Sequence, residues 1–260
     1  SEMSTPPGCD PVMRYITPQT FATTGMLSEG GETLEVVSLP DSFDPQGGRL
    51  LVELTPTLGG AVVSGLDALK AYPYDYTEPI ISRLLPNLQV KLALQRLNLP
   101  DRDLQSRLDA AIQPNLEWLL QHQNSDGGWG WAPGRPSDTY LSAYGLLALT
   151  RSRQAGEVVD SSSLSAAQNY LLATLISPEM AAEDWQLDRQ AFVHFALAES
   201  GLGNVPPSAL YPFRERLSPW GKAFLTASLA ADEANIEQVR TLLADLETSA
   251  VRSAGGAHWE

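Results

Sequence analysis

Residues 72–87 read Tyr72-Pro73-Tyr74-Asp75-Tyr76-Thr77-Glu78-Pro79-Ile80-Ile81-Ser82-Arg83-Leu84-Leu85-Pro86-Asn87. Tyrosine and proline crowd the first half, as in a turn, and the second half opens a helical pattern over 79–97. The same period recurs from Leu58 to the end of the chain. It predicts helices near 58–71, 79–97, 102–122, 138–152, 162–176 and 185–200, a short one near 207–216, then 219–232 and 235–251. Pro114 is expected to kink or split the third of these.

Two kinds of helix alternate. The stretches 104–122 and 236–250 carry a one-sided apolar stripe: Leu104, Leu108, Ile112, Leu116 and Leu119 in one, Ile236, Val239, Leu243 and Leu246 in the other. Leu164, Ala167, Leu171 and Leu175 do the same between them. Such helices keep a wet face. By contrast 139–149, 191–198 and 223–231 are apolar or small nearly all round, as in Ala191-Phe192-Val193-His194-Phe195-Ala196-Leu197-Ala198, and should be buried on most sides. Alternation of this kind is what two concentric layers of helices produce. The loops Asp126-Gly127-Gly128-Trp129-Gly130-Trp131 and Gly255-Gly256-Ala257-His258-Trp259 also look like one element repeated, with a helical-hairpin period. The expected fold class is mainly α, an α/α-toroid over 58–260, with a small antiparallel β segment over 1–57.

That β segment rests on three strand candidates, Phe21 to Leu27, Thr33 to Leu39 and Arg49 to Thr55, separated by glycine-rich turns. Three strands bury little by themselves, so the segment reads as part of a sandwich whose other strands lie elsewhere.

With both flanks in view, 72–87 resembles the thioester segment of the bacterial alpha-2-macroglobulin family. Tyr72, Pro73 and Tyr74 lead in, Thr77 and Glu78 lie within, and Ser82 to Asn87 follow, with Asp75 as further motif context. In that family a cysteine and, three residues on, a glutamine close an internal thioester. Here those two positions hold Tyr76 and Pro79. The bond is an activated acyl group made from a thiol sulfur and a side-chain acyl carbon. A phenol cannot make it, and proline offers no side-chain amide. The single cysteine, Cys9, has Val12 three residues on instead of glutamine.

The resemblance implies a thioester-type toroid preceded by a CUB-like β segment, with this chain carrying about two-thirds of the ring. It implies a protein that traps attacking proteases after cleavage of a bait region, located at the cell envelope, periplasmic or extracellular. The partners implied are proteases or other proteins, met by the full-length molecule. No cofactor is implied. A member without the thioester would act non-covalently, and with no bait region this chain alone should inhibit nothing. Two readings of the substituted pair stand. Either Tyr76 and Pro79 fill the old pocket with apolar surface, or Asp75, Tyr76 and Glu78 form a new polar site. The first is favoured, because tyrosine and proline are common at turns and core edges.

Other candidate chemistry is thinner. The glycine-rich loop at 126–134 lacks the preceding strand and the Gly-Lys-Ser/Thr ending of a phosphate-binding loop, so its glycines are read as making a tight turn under two large rings. Asp184 and Asp188, with Glu183 beside them, could serve an α/α-toroid cyclase, lyase or glycoside hydrolase as acids. At a helix start, capping is the favoured reading. His122, His194 and His258 are scattered, with His194 read as a core histidine, and no metal ligand set is expected.

The formal net charge of −14 argues against nucleic acid and anionic membrane as partners. A hydrophobic share of 43% and a charged share of 18% fit a globular chain with no membrane-spanning run. Starting at Ser1, the chain is expected to be a piece of something larger.

Overall fold

A computed structural model of the chain describes residues 75–98, 102–202, 206–230, 232–253 and 256–259, with isolated positions between 23 and 52. The strand candidates before residue 57, the helix expected over 58–71 and the motif residues Tyr72, Pro73 and Tyr74 lie outside the described residues. The chain divides into two compact units, Ser1–Leu54 and Thr55–Glu260.

The second unit is helical. Its described α-helices are α1 (Thr77–Arg96), α2 (Arg102–Gln121), α3 (Thr139–Gln154), α4 (Ser161–Thr174), α5 (Asp184–Glu199), α6 (Pro219–Leu229) and α7 (Ile236–Ser249). A 3-10 stretch, Pro207–Arg216, lies between α5 and α6. Helices α1, α3, α5 and α6 pack on one another in that order, and α2, α4, Pro207–Arg216 and α7 each pack on the helix before them. This is the two-layer hairpin order of an α/α-toroid. The all-round apolar helices form the inner layer and the one-sided ones the outer, as their patterns predict.

Burial follows the layers. On α3, Leu141, Ser142, Ala143, Gly145, Leu146, Ala148 and Leu149 are all buried, whereas α7 buries only Val239 and Leu242. Each fully buried leucine contributes roughly 1.5–3 kcal/mol of apolar transfer free energy. Three buried hydroxyls of the inner layer donate back one turn along their own helices: Thr150 to Leu146 O (2.8 Å), Thr226 to Lys222 O (2.6 Å) and Ser228 to Phe224 O (2.7 Å). This satisfies them without a partner across the core.

Three helix starts carry side-chain caps. Asp138 accepts from Leu141 N (3.0 Å), Asp160 from Ser162 N (3.1 Å) and Ser218 from Gly221 N (3.2 Å). Lys91 clasps three segments, donating to Asp109 on α2 (2.6 Å) and to Glu157 after α3 (2.5 Å). Burial of this ammonium lowers its pKa, but the two hydrogen-bonded carboxylates outweigh that and hold it above its ordinary value.

Two local expectations change. Pro114 does not split its helix, since α2 is assigned without interruption through it. The carbonyl that proline leaves without a donor belongs to Ala110, which is exposed, so water can replace the missing bond. After α7 the chain forms a hairpin instead of a plain loop: β1 (Val251–Ser253) pairs antiparallel with β2 (Gly256–His258), Val251 opposite His258.

Candidate functional site

The described end of the 72–87 segment sits at the head of α1. Tyr76 is the N-cap residue, with extended backbone, no capping hydrogen bond from its side chain and 51% exposure. The cap is supplied from elsewhere. Thr77 N donates to Trp131 O (3.3 Å), and the buried Thr77 Oγ1 donates to Gly130 O (2.5 Å). The glycine- and tryptophan-rich loop therefore rests on the motif, a contact that pairs residues 53 positions apart.

The loop has its own anchor. Trp129 is fully buried; its indole Nε1 donates to Leu119 O (2.8 Å) and its backbone N donates to Ser142 Oγ (2.9 Å). Gly127 takes a φ of +92°, the left-handed region that glycine enters without strain. Trp131, two residues on, is 58% exposed. The turn-under-rings reading of this loop thus holds for one ring and not for the other.

The acidic residues of the motif turn to different partners. Asp75 pairs with Arg83 Nη2 at 3.0 Å, and Arg83 Nε also donates to Asn115 Oδ1 (3.3 Å) on α2. Both arginine contacts lie along a cleft of about 540 Å³ between α1 and α2, bordered by Asp75, Arg83, Arg107, Pro114 and Trp118. Glu78 faces the inner layer. Its Oε1 accepts from Ser82 Oγ (2.6 Å), and that hydroxyl meets Tyr144 OH of α3 at 3.2 Å. Pro79 is half-buried within the first turn of α1.

The carboxylates at the start of α5 are engaged structurally. Asp184 Oδ1 accepts from Arg216 Nε (2.8 Å), and Asp188 Oδ1 accepts from Ser218 N (2.9 Å) at the head of α6. Glu183 and Gln186 form a reciprocal capping box. His194 is buried on α5, His122 stacks on Trp118 with ring centroids 4.1 Å apart, and His258 lies in β2. Among the described residues no group of three histidine, cysteine, aspartate or glutamate side chains could hold a metal ion. Nor is any described helix long and apolar enough to cross a membrane.

No family model matches the chain. A 161-residue stretch, 62% of the chain, is 30% identical to the alpha-2-macroglobulin of Thermotoga maritima, and it amounts to 9% of that protein. The similarity is to the bacterial alpha-2-macroglobulins. The fold agrees: the Salmonella alpha-2-macroglobulin structure reacted with methylamine superposes with a TM-score of 0.58 at 21% identity, covering 74% of this chain and 13% of that one. A shorter stretch of 57 residues, 22% of the chain, is 46% identical to 7% of the squalene hopane cyclase of Aspergillus fumigatus. The chain thus spans a small part of the length of each macroglobulin relative it matches.

Within this macroglobulin-like frame, sequence reading missed two sets of residues. Gly130 and Trp131 cap α1 through backbone carbonyls, which leave no residue-type signal. Ser82 and Tyr144 join Glu78 across two helices. Their spacing, one helical turn from Glu78 to Ser82, was readable, but the partner helix was not.

Proposed function

We propose that this chain is the thioester-type helical part of a bacterial alpha-2-macroglobulin-like protease inhibitor, and that it works without covalent capture. One observation carries the second clause: the residues at the two reactive positions are Tyr76 and Pro79. Neither side chain can supply the sulfur or the acyl carbon of a thioester. What is retained is the housing, with α1 capped by the tryptophan loop and stacked on α3. In this reading the protein acts on proteases by enclosure or surface contact, from the periplasm or the cell exterior, and only as part of the longer molecule. Pro79 serves as half-buried apolar filler in the first turn of α1, and Tyr76 as its N-cap residue with a half-exposed ring, flanked by Asp75, Thr77 and Glu78.

The test is direct. Methylamine, which opens a thioester by attacking its acyl carbon and freeing a thiol, should leave the intact mass of this chain unchanged. Thiol titration should find one cysteine before and after treatment. A gain of one methylamine, or a newly exposed thiol, overturns the non-covalent reading. Trypsin should retain full activity in the presence of the chain alone.

A second reading, an α/α-toroid enzyme of cyclase, lyase or glycoside hydrolase type, draws on the short match to the fungal cyclase. It would need Asp184 and Asp188 as working acids. Their pairing with Arg216 and with Ser218 N supports a structural role instead.

A further inference from the structure

Facing sides of the four inner helices bring together a polar and aromatic strip that the thioester argument does not use. Glu78 and Ser82 belong to α1, Tyr140 and Tyr144 to α3, Phe192 to α5, and Trp220 with Phe224 to α6. The rings form a continuous run: Tyr144–Tyr140 centroids 6.1 Å apart, Tyr140–Phe192 5.4 Å, Tyr140–Trp220 6.4 Å and Trp220–Phe224 4.8 Å. Phe192 is buried beneath it, whereas Tyr140, Tyr144 and Phe224 are half-buried and Trp220 is 43% exposed. The strip is therefore an accessible surface with a packed floor.

Its charge is one-sided. The half-buried Glu78 carboxylate ends a hydrogen-bonded chain through Ser82 to the Tyr144 phenol, and among the described residues it forms no ion pair. Asp138 caps α3 two residues before Tyr140, adding a second negative group at the same end. Tyr140 registers this environment. Burial first, then the neighbouring Tyr144, Glu78 and Asp138, hold its phenol above the ordinary value, as a negative potential does. A carboxylate beside exposed aromatic faces is the chemistry that attracts a cation: the rings offer their negative faces and the carboxylate offers the charge.

We propose that the strip formed by Glu78, Ser82, Tyr140 and Tyr144, flanked by Trp220, binds a lysine or arginine side chain of a partner protein. The cation would lie against the Tyr140 and Tyr144 rings with Glu78 as its counter-ion, and Trp220 would cover the aliphatic stem. The net charge of −14 on the chain would favour encounter with a basic partner. The inference is separate from the loss of the thioester, since it uses neither Tyr76 nor Pro79.

The test uses the whole 260-residue chain and Nα-acetyl-lysine methylamide as the probe, with the norleucine analogue as its uncharged counterpart, both titrated by NMR. The expected result is saturable binding of the lysine probe, at least severalfold tighter than norleucine. It should weaken about tenfold in Glu78→Gln and about threefold in Trp220→Leu. Equal binding of the two probes, or an unchanged affinity in Glu78→Gln, overturns the proposal. Should Glu78→Gln lose its helical circular dichroism, the wild-type chain still decides: lysine binding must fall as sodium chloride rises, and salt-independent binding refutes the site.

Discussion

Trp129 and Trp259 make the same contact and have opposite fates. Each follows an outer helix and donates its indole Nε1 to a carbonyl on that helix, Leu119 O at 2.8 Å and Leu246 O at 2.7 Å. This is the repeat that the two glycine–tryptophan segments suggest. Yet Trp129 is 0% exposed and Trp259 is 51% exposed. The difference is the next inner helix. After Trp129 comes α3, whose Gly145 lies flat against the ring: a Cβ there would stand 2.8 Å from Trp129 Cε3. Trp259 is not enclosed in this way. The indole hydrogen bond is thus a property of one hairpin, while burial is contributed by its neighbour.

Removing the buried ring should break the comparison most severely. Trp129→Ala is expected to cost about 3–5 kcal/mol, from lost transfer energy plus the cavity left behind, read as a lower midpoint in urea unfolding. Next comes the neighbour's contribution. Gly145→Ala should cost about 1–3 kcal/mol by overpacking against the ring, and the double variant Trp129→Ala with Gly145→Ala should lose less than the sum of the two, because the added methyl then enters vacated space. Thr77→Val keeps the shape of the motif but strands the buried Gly130 carbonyl. About 1–2 kcal/mol should be lost, with hydrogen exchange rising in the first turn of α1 before the rest of the helix. Trp259→Ala closes the series, at about 1 kcal/mol or less in a thermal melt. A Trp259→Ala loss equal to that of Trp129→Ala would end the argument that burial comes from the neighbouring helix.

The layer plan was legible because solvent writes itself into composition. Inner helices such as α3 and α5 are buried on most sides and so carry leucine, alanine and small hydroxyl residues nearly all round, whereas α2 and α7 meet water along a broad face. The start of each described α-helix was legible to within two residues, and at three of them Asp138, Asp160 and Ser218 supply the acceptors that free N–H groups demand. Pro114 leaves α2 unsplit, since proline's cost inside a helix depends on whether water reaches the orphaned carbonyl, and exposure is a tertiary fact. The pairing of Thr77 with Gly130 and Trp131 was invisible because main-chain acceptors look alike in every residue. Glu78 with Ser82 could be read as neighbours along α1, but Tyr144 enters only when α3 is laid beside it.

Asp188 gives the architecture one more property. Its carboxylate belongs to the third inner helix, and the amide it closes, that of Ser218, belongs to the fourth. A hairpin lifted from this chain and grafted into another scaffold would keep its own Ser218 cap on Gly221 N but arrive with the Ser218 amide unpaired, because Asp188 was left behind in the preceding unit. Exchange of this hairpin should therefore cost least where the breakpoint keeps Asp188 and Ser218 on the same side.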